Sequence, residues 1–217
     1  MRDYTHGVIF VELPNGVWYS ARQIEDVHMK ISGVILAGGR NSRMGCRKAF
    51  LEIGGKKMID VILGKLRQFF AEVIIVTDKK GDFVHHECRV IEDIIEGCGP
   101  LGGVYTGLRE IAGGAGFFVG CDMPYLHERL VSRLIAEVDL ARYECIVPKH
   151  SKGIEPLHAI YSRQILPKVE RALSSGKLSF RELFADCSCK YIDVDETEIS
   201  SFVNINTPED LAHCQDL

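Results

Sequence analysis

The chain has 217 residues, a formal net charge of −4, 46% apolar residues and 26% charged residues, which suits one sizeable α/β domain with a full core. No basic block stands out, so binding to nucleic acid has no electrostatic support, and no apolar run approaches the ~20 residues of a membrane-spanning helix. The eight cysteines are scattered and several sit in apolar runs, where cysteine behaves as a small buried hydrophobe. No secretory signal is evident, so the expected location is a reducing cytoplasm. Cys187-Ser-Cys189 lacks the second ligand pair that a structural zinc site needs.

Residues 1–28 read as an N-terminal appendage, hairpin or disordered, and 29–217 as the functional domain beginning at Met29. Within the appendage, Val8–Val11 and Val17–Tyr19 flank Asn15-Gly16, a dipeptide that favours a tight hairpin turn. Ile31 to Ala37 reads as a buried strand. A helix is expected over 58–70, where apolar residues recur at helical spacing. Val73–Thr77 and Arg89–Ile91 read as strands. A helix follows from Gly99 to about Ile111, with Pro100 in its first turn. Gly116–Cys121 reads as a strand and His127–Leu140 as a helix. Glu144–Pro148 and Glu155–Tyr161 are expected strands, 163–174 and 179–185 helices, and Lys190–Asp193 a late strand. Thr207-Pro208 starts a last helix. This alternation predicts a single three-layer α/β/α Rossmann-like domain with a mostly parallel sheet.

The chemistry concentrates after the first strand. Leu36-Ala-Gly-Gly-Arg-Asn-Ser-Arg-Met-Gly-Cys-Arg-Lys48 combines glycines with Arg43 and Lys48. Glycines let backbone N–H groups approach an anion, and the cations clamp what is cradled. The spacing fits neither the P-loop nor the dinucleotide fingerprint. In open parallel sheets ligands bind beyond the carboxyl ends of the strands. Those ends carry Thr77-Asp78, Glu92-Asp93 and Cys121-Asp122. A carboxylate there suits Mg²⁺, which prefers oxygen ligands and bridges phosphates. The set points to phosphoryl or nucleotidyl transfer, where positioning and electrostatics supply most of the catalysis. Each residue also has a structural reading: a tight turn for Gly38-Gly39, a helix start for Asp122, a solvated acidic run for Asp93, a core or cleft position for His158. His85-His86 reads as surface. No nucleophile stands with a base, so a covalent enzyme intermediate is not indicated.

The ordered motifs resemble one family. Leu36-Ala-Gly-Gly-x-x-Ser-Arg-Met-Gly-x-x-Lys48 is similar to the signature of molybdenum cofactor guanylyltransferases, and Gly120-Cys-Asp-Met-Pro124 to their metal-binding segment. Gly97-x-Gly-Pro-Leu-Gly-Gly103, Glu155-Pro-Leu-x-Ala159 and Asn204-Ile-Asn-Thr-Pro-Glu-Asp-Leu211 match in the same order, so the resemblance spans roughly residues 29 to 214. It implies a nucleotidyltransferase that passes GMP from GTP to molybdopterin, with Mg²⁺ and release of pyrophosphate. It further implies that Leu36, Ala37 and Gly38 line the guanine and that the loop from Gly39 covers the phosphates. Lys48 contacts the phosphates, Asp93 binds GTP, and Asp122 binds both nucleotide and Mg²⁺. Asn204 and Asn206 lie on the pterin side. Arg43 and Lys48 would stabilise the departing pyrophosphate. A nucleotide-contacting Asn of longer bacterial members has no counterpart here. Related molybdopterin cytidylyltransferases tend to carry Ala and Gln where this chain has Gly38 and Met123, which favours GTP over CTP. The phosphate loop alone also suits relatives acting on a sugar phosphate, cobinamide phosphate or phospholactate, or a GTP- or pterin-binding carrier without chemistry. Molybdoenzymes or other cofactor-biosynthesis proteins are the protein partners such a role would bring.

Overall fold

The computed structural model describes residues 4–5, 8–12, 18–20, 31–38, 48–205 and 210. The first strands, β1 (Tyr4–Thr5), β2 (Val8–Glu12) and β3 (Trp18–Ser20), form a separate antiparallel sheet. Phe10 pairs with Ser20 and Glu12 with Trp18, as the expected hairpin requires. Its turn lies outside the described residues.

The main sheet starts at β4 (Ile31–Leu36). A small hairpin, β5 (Glu52–Ile53) and β6 (Lys56–Lys57), leads into helix α1 (Met58–Leu66). Its turn uses Gly54 and Gly55 at positive φ, a backbone shape that glycine adopts without steric cost. Then come β7 (Val73–Thr77), β8 (Arg89–Glu92), α2 (Gly99–Glu110), β9 (Ala115–Gly120) and α3 (Glu128–Ala136). The last described part holds β10 (Cys145–His150), β11 (Gly153–Ile154), β12 (His158–Ser162), α4 (Leu166–Ser174), α5 (Phe180–Ala185) and β13 (Cys189–Asp193). The final expected helix falls on residues that are mostly outside the description, although Asp210 is helical.

β4 sits at the centre, parallel to β7 on one side and β9 on the other. β8 extends the sheet in parallel beyond β7, and β13 runs parallel to β10. Every residue of β4, β7 and β9 is buried, as expected for strands covered on both faces. Successive side chains alternate between faces. Ile31, Ile35, Ile75 and Phe117 join the core under α1 and α3, with Ile62 and Leu134. Val34, Leu36, Ile74 and Phe118 join the core under α2 and α4, with Val104 and Val169. This is the predicted three-layer arrangement.

The sheet is mixed at one point the periodicity does not reveal. β12 runs antiparallel to both β9 and β10. The chain leaves β10, folds back through β11 and enters β12 without a helix. A parallel pairing needs a crossover of a dozen or more residues, and the connection is too short for one. Helix α3 also stops at Ala136, before the predicted Leu140. Val138 and Leu140 still pack on the core, from irregular backbone.

Helix α2 approaches the sheet through Gly107. A Cβ placed there would lie 2.6 Å from Phe118 Cε1 and 2.9 Å from Val34 Cγ1. Gly107→Val is therefore expected to lower stability by about 1–3 kcal/mol through overpacking, read as a fall in the midpoint of urea unfolding.

His158 is a second sensitive core position. It is fully buried, edge-on to Phe117 and Phe202, and neither ring nitrogen has a hydrogen-bond partner. Burial alone pushes its pKa down from 6.5 to about 3. The unfolded chain therefore takes up a proton below pH 6.5 that the folded chain refuses. Stability is expected to fall as pH drops below about 6.5, with a slope approaching ~1.4 kcal/mol per unit. Most carboxylates titrate lower, so between pH 6.5 and 5 this ring contributes a loss of stability that they do not. His158→Leu should flatten the pH dependence of unfolding in that window, and an unchanged slope would contradict the assignment.

Candidate active site

A cavity of about 1000 Å³ opens at the carboxyl ends of the parallel strands. Leu36 at the end of β4 and Gly38 beyond it, Asp78 after β7, Asp93 after β8, and Gly120 at the end of β9 with Asp122 beyond it all line it. Gly99, Pro100 and Gly103 of α2 close one side. The first turn of a helix carries unpaired N–H groups and a partial positive charge. The chain turns into α2 with Gly97 and Gly99 at φ 78° and 59°, in the left-handed region that glycine tolerates.

Asp122 is held by its backbone. Cys121 N–H donates to Leu36 C=O (3.0 Å) and Met123 N–H to Gly120 C=O (3.1 Å). The Asp122 carbonyl accepts from Ile205 N–H at 2.9 Å. That last bond brings the Asn204 segment beside the cavity. Lys48, from the 3-10 turn Lys48–Phe50, places Nζ 3.5 Å from Asp122 Oδ2, with both side chains partly exposed to the cavity. The pair spans 74 residues of sequence and joins the glycine loop to the β9 end.

Gly120 sets the shape of this corner. A Cβ there would sit 2.5 Å from Asp122 Oδ1, so the carboxylate folds back over space that only glycine leaves open. Gly120→Ala is expected to displace the carboxylate and lower turnover about tenfold or more with the fold intact, since an ångström of misplacement costs up to ~10²-fold. Steady-state kinetics beside a melting curve would check it.

Asp93 is fixed by a neighbour the sequence reading did not identify. Its Oδ1 accepts from Thr106 Oγ1 (2.6 Å) and, more loosely, from Ile95 N–H (3.4 Å). Thr106 Oγ1 in turn accepts from Ile94 N–H at 3.0 Å. Asp93 N–H donates to Thr77 C=O at 2.7 Å. With Oδ1 engaged, Oδ2 is the oxygen offered to a ligand. The one available signal for Thr106 is a polar side chain, three residues beyond Gly103, within the apolar stretch Leu101–Leu108 of α2.

The cavity brings together Leu36, Gly38, Lys48, Asp93 and Asp122. Ala37 is not in its wall, because the residue is buried in the core beneath α1. Asn204 is exposed and adjacent through Ile205, not in the wall. Gly39, Arg43 and Asn206 lie outside the described residues. Of the two positions that separate guanylyl from cytidylyl relatives, only Gly38 lines the cavity, and Met123 is buried in the core. A Cβ on Gly38 would meet the Asp78 and Thr77 backbone at 3.6–3.9 Å, ordinary contact, so the fold itself does not demand glycine there.

The described wall carries Asp78, Glu92, Asp93, Glu96 and Asp122 against one lysine. Such a wall repels a triphosphate unless cations intervene. The sequence between β4 and Lys48 carries Arg40, Arg43 and Arg47, and a hard divalent cation on carboxylate oxygen is a further source of positive charge. The donor set fits such an ion: Asp122 supplies anionic oxygen inside a cavity wide enough for waters and phosphates. Among the described residues no group of three or more His, Cys, Asp or Glu could hold a metal by itself.

Residues 33–190 match the model of the MobA-like NTP transferase domain. The chain belongs to that family. The matched segment runs from β4 into β13 and contains Leu36, Gly38, Lys48, Asp93 and Asp122. A chain from Peptoclostridium acidaminophilum, described as a probable molybdenum cofactor guanylyltransferase, is 35% identical over 201 residues, 88% of this chain and 90% of that one. A chain of the same description from Pelotomaculum thermopropionicum is 34% identical over 189 residues, covering 84% and 91%. The crystal structure of molybdopterin-guanine dinucleotide biosynthesis protein A from Archaeoglobus fulgidus superposes with a TM-score of 0.75 at 27% identity, over 85% of this chain and 97% of that chain. As a member of the MobA-like family, the protein is a nucleotidyltransferase.

Proposed function

We propose that the protein transfers the GMP moiety of GTP to the terminal phosphate of molybdopterin and releases pyrophosphate, as a cytoplasmic step of molybdenum cofactor synthesis. The observation that carries this reading is the approach of Lys48 to Asp122, 3.5 Å apart, where the glycine loop meets the β9 end. The names of the relatives over most of the chain support the choice of GTP and molybdopterin.

In this reading Leu36 and Gly38 pack on the guanine and Asp93 Oδ2 accepts hydrogen bonds from the nucleoside. Lys48 and the loop cations, Arg43 among them, neutralise the β- and γ-phosphates, so that charge developing on the leaving pyrophosphate is met by fixed cations. Asp122 holds Mg²⁺, which supplies Lewis-acid polarisation of the α-phosphate when bound. The attacking phosphate of molybdopterin is already anionic, so no general base is required. Asn204 and Asn206 receive the pterin side, Asn204 standing next to Asp122 through the Ile205 bond.

A panel of GTP, CTP, ATP and UTP against phosphorylated acceptors, with pyrophosphate release as the readout, tests the reading. Release with GTP and molybdopterin supports it. GTP binding without release in the presence of authentic acceptor would instead favour a carrier.

A further inference from the structure

Glu155 opens the Glu155-Pro-Leu motif, yet it is not in the cavity wall, whereas Leu157 is. Its backbone serves the fold: the N–H donates to Pro148 C=O at 3.0 Å, and the C=O accepts from His158 N–H at 3.2 Å. Its side chain has a separate partner. Oε1 stands 2.8 Å from Nε2 of His150, the last residue of β10. Lys152 N–H donates to the other ring nitrogen, Nδ1, at 3.3 Å. A backbone N–H can only donate, so Nδ1 is the acceptor and Nε2 carries the hydrogen given to Glu155. Held at both nitrogens and largely buried, the imidazole has a fixed plane.

Phe202 rests on that plane. The two rings stack with centroids 5.3 Å apart and 12° between their planes. His158 meets the same phenyl ring edge-on, also at 5.3 Å. Phe202 closes the 3-10 turn Glu196–Phe202, which is tied to α3 through buried Glu198, whose Oε2 accepts from Arg133 at 2.6 Å. Three residues beyond Phe202, Ile205 N–H donates to the Asp122 carbonyl at 2.9 Å. Asn204 lies between these two fixed points, and its Nδ2 donates to Phe202 C=O at 3.4 Å. A continuous set of contacts therefore runs from Glu155 through His150 and Phe202 to Asn204 beside Asp122.

We propose that Glu155 and His150 are positioning residues for the acceptor: they fix the ring of Phe202 and thereby set where Asn204 stands relative to Asp122. The inference rests on the reading of Asn204 as the acceptor side of the site. Without the Glu155 carboxylate the imidazole loses one of the two bonds that hold its plane, and the stack under Phe202 loosens. The nucleotide side is built independently. Leu36 and Asp93 stand at the ends of β4 and β8, which lie across β9 from β10 and β12, and Asp93 is held by Thr106. Loss of the Glu155–His150 bond thus falls on the acceptor and spares GTP.

Glu155→Ala and Glu155→Gln are compared with the unaltered protein in two measurements. In steady-state kinetics, Glu155→Ala is expected to raise KM for molybdopterin about tenfold and to leave KM for GTP within about twofold. Alanine retains both backbone bonds of residue 155, so the fold is kept. Glu155→Gln still offers an oxygen to the imidazole N–H and should recover most of the loss. In hydrogen exchange followed by mass spectrometry without substrate, the peptide holding Ile205 should exchange about tenfold faster in Glu155→Ala, while the β4 peptide is unchanged. Equal rises in both KM values, equal losses in the two variants, or unchanged exchange at Ile205 would each overturn the proposal. If the unaltered protein does not turn over GTP with molybdopterin, the substrate assignment fails, and exchange at Ile205 still decides whether Glu155 positions the Asn204 segment.

Discussion

Asp122→Ala is expected to leave the domain folded and to lower nucleotidyl transfer by about 10³-fold, the loss of several kcal/mol of transition-state stabilisation. The backbone at this position carries the structural duty, since it is the carbonyl that accepts from Ile205 N–H, and alanine retains it. The side chain carries the chemical duty: it is the carboxylate within 3.5 Å of Lys48 and the proposed metal ligand. Asp122→Asn keeps the shape and removes the charge, so it should resemble alanine in turnover. Chelation of divalent metal should bring the unaltered enzyme toward the same low rate. Full activity in Asp122→Ala would remove the carboxylate from the mechanism. Circular dichroism and a melting curve establish that the loss is not one of folding.

Lys48→Ala is expected to lower turnover by about 10²- to 10³-fold, the scale found when one preorganised electrostatic partner of a transition state is removed. The cavity wall has five carboxylates and this single lysine among its described residues. Removing it leaves Asp122 facing a polyphosphate with one cation fewer, so KM for GTP should rise as well. Lys48→Arg keeps the charge but changes a compact ammonium into a planar fork, and partial recovery is expected. Equal losses in Lys48→Ala and Lys48→Arg would point to shape instead of charge.

Much of the fold was legible because burial on both faces leaves its mark in the sequence. Ile31–Leu36, Val73–Thr77 and Ala115–Gly120 are short apolar runs separated by helical periods, and they became the parallel centre of the sheet. The direction of β12 was not legible. An antiparallel strand buried on both faces reads like a parallel one, and only the short connection through β11 shows its direction. The Gly54-Gly55 hairpin has only its paired glycines as a signal, between two stronger ones. Strand ends exposed Asp93 and Asp122 as candidates, because ligands gather there whatever the chemistry. What no spacing revealed was Thr106 gripping Asp93 from a neighbouring helix, or Cys145 falling in register with Cys189 across 44 residues. Those contacts are made by packing of helix on sheet and strand on strand, and they have no local periodicity. Ala37 shows the converse: a residue inside the most telling motif is directed to the core.

The most direct test is to incubate the protein with Mg²⁺, an equimolar mixture of GTP and CTP, and molybdopterin, and then to analyse the cofactor by mass spectrometry. The expected product is molybdopterin carrying one GMP, with pyrophosphate released in equal amount and neither formed by Asp122→Ala. A CMP adduct, or unchanged molybdopterin alongside an intact and nucleotide-bound protein, would contradict the proposal.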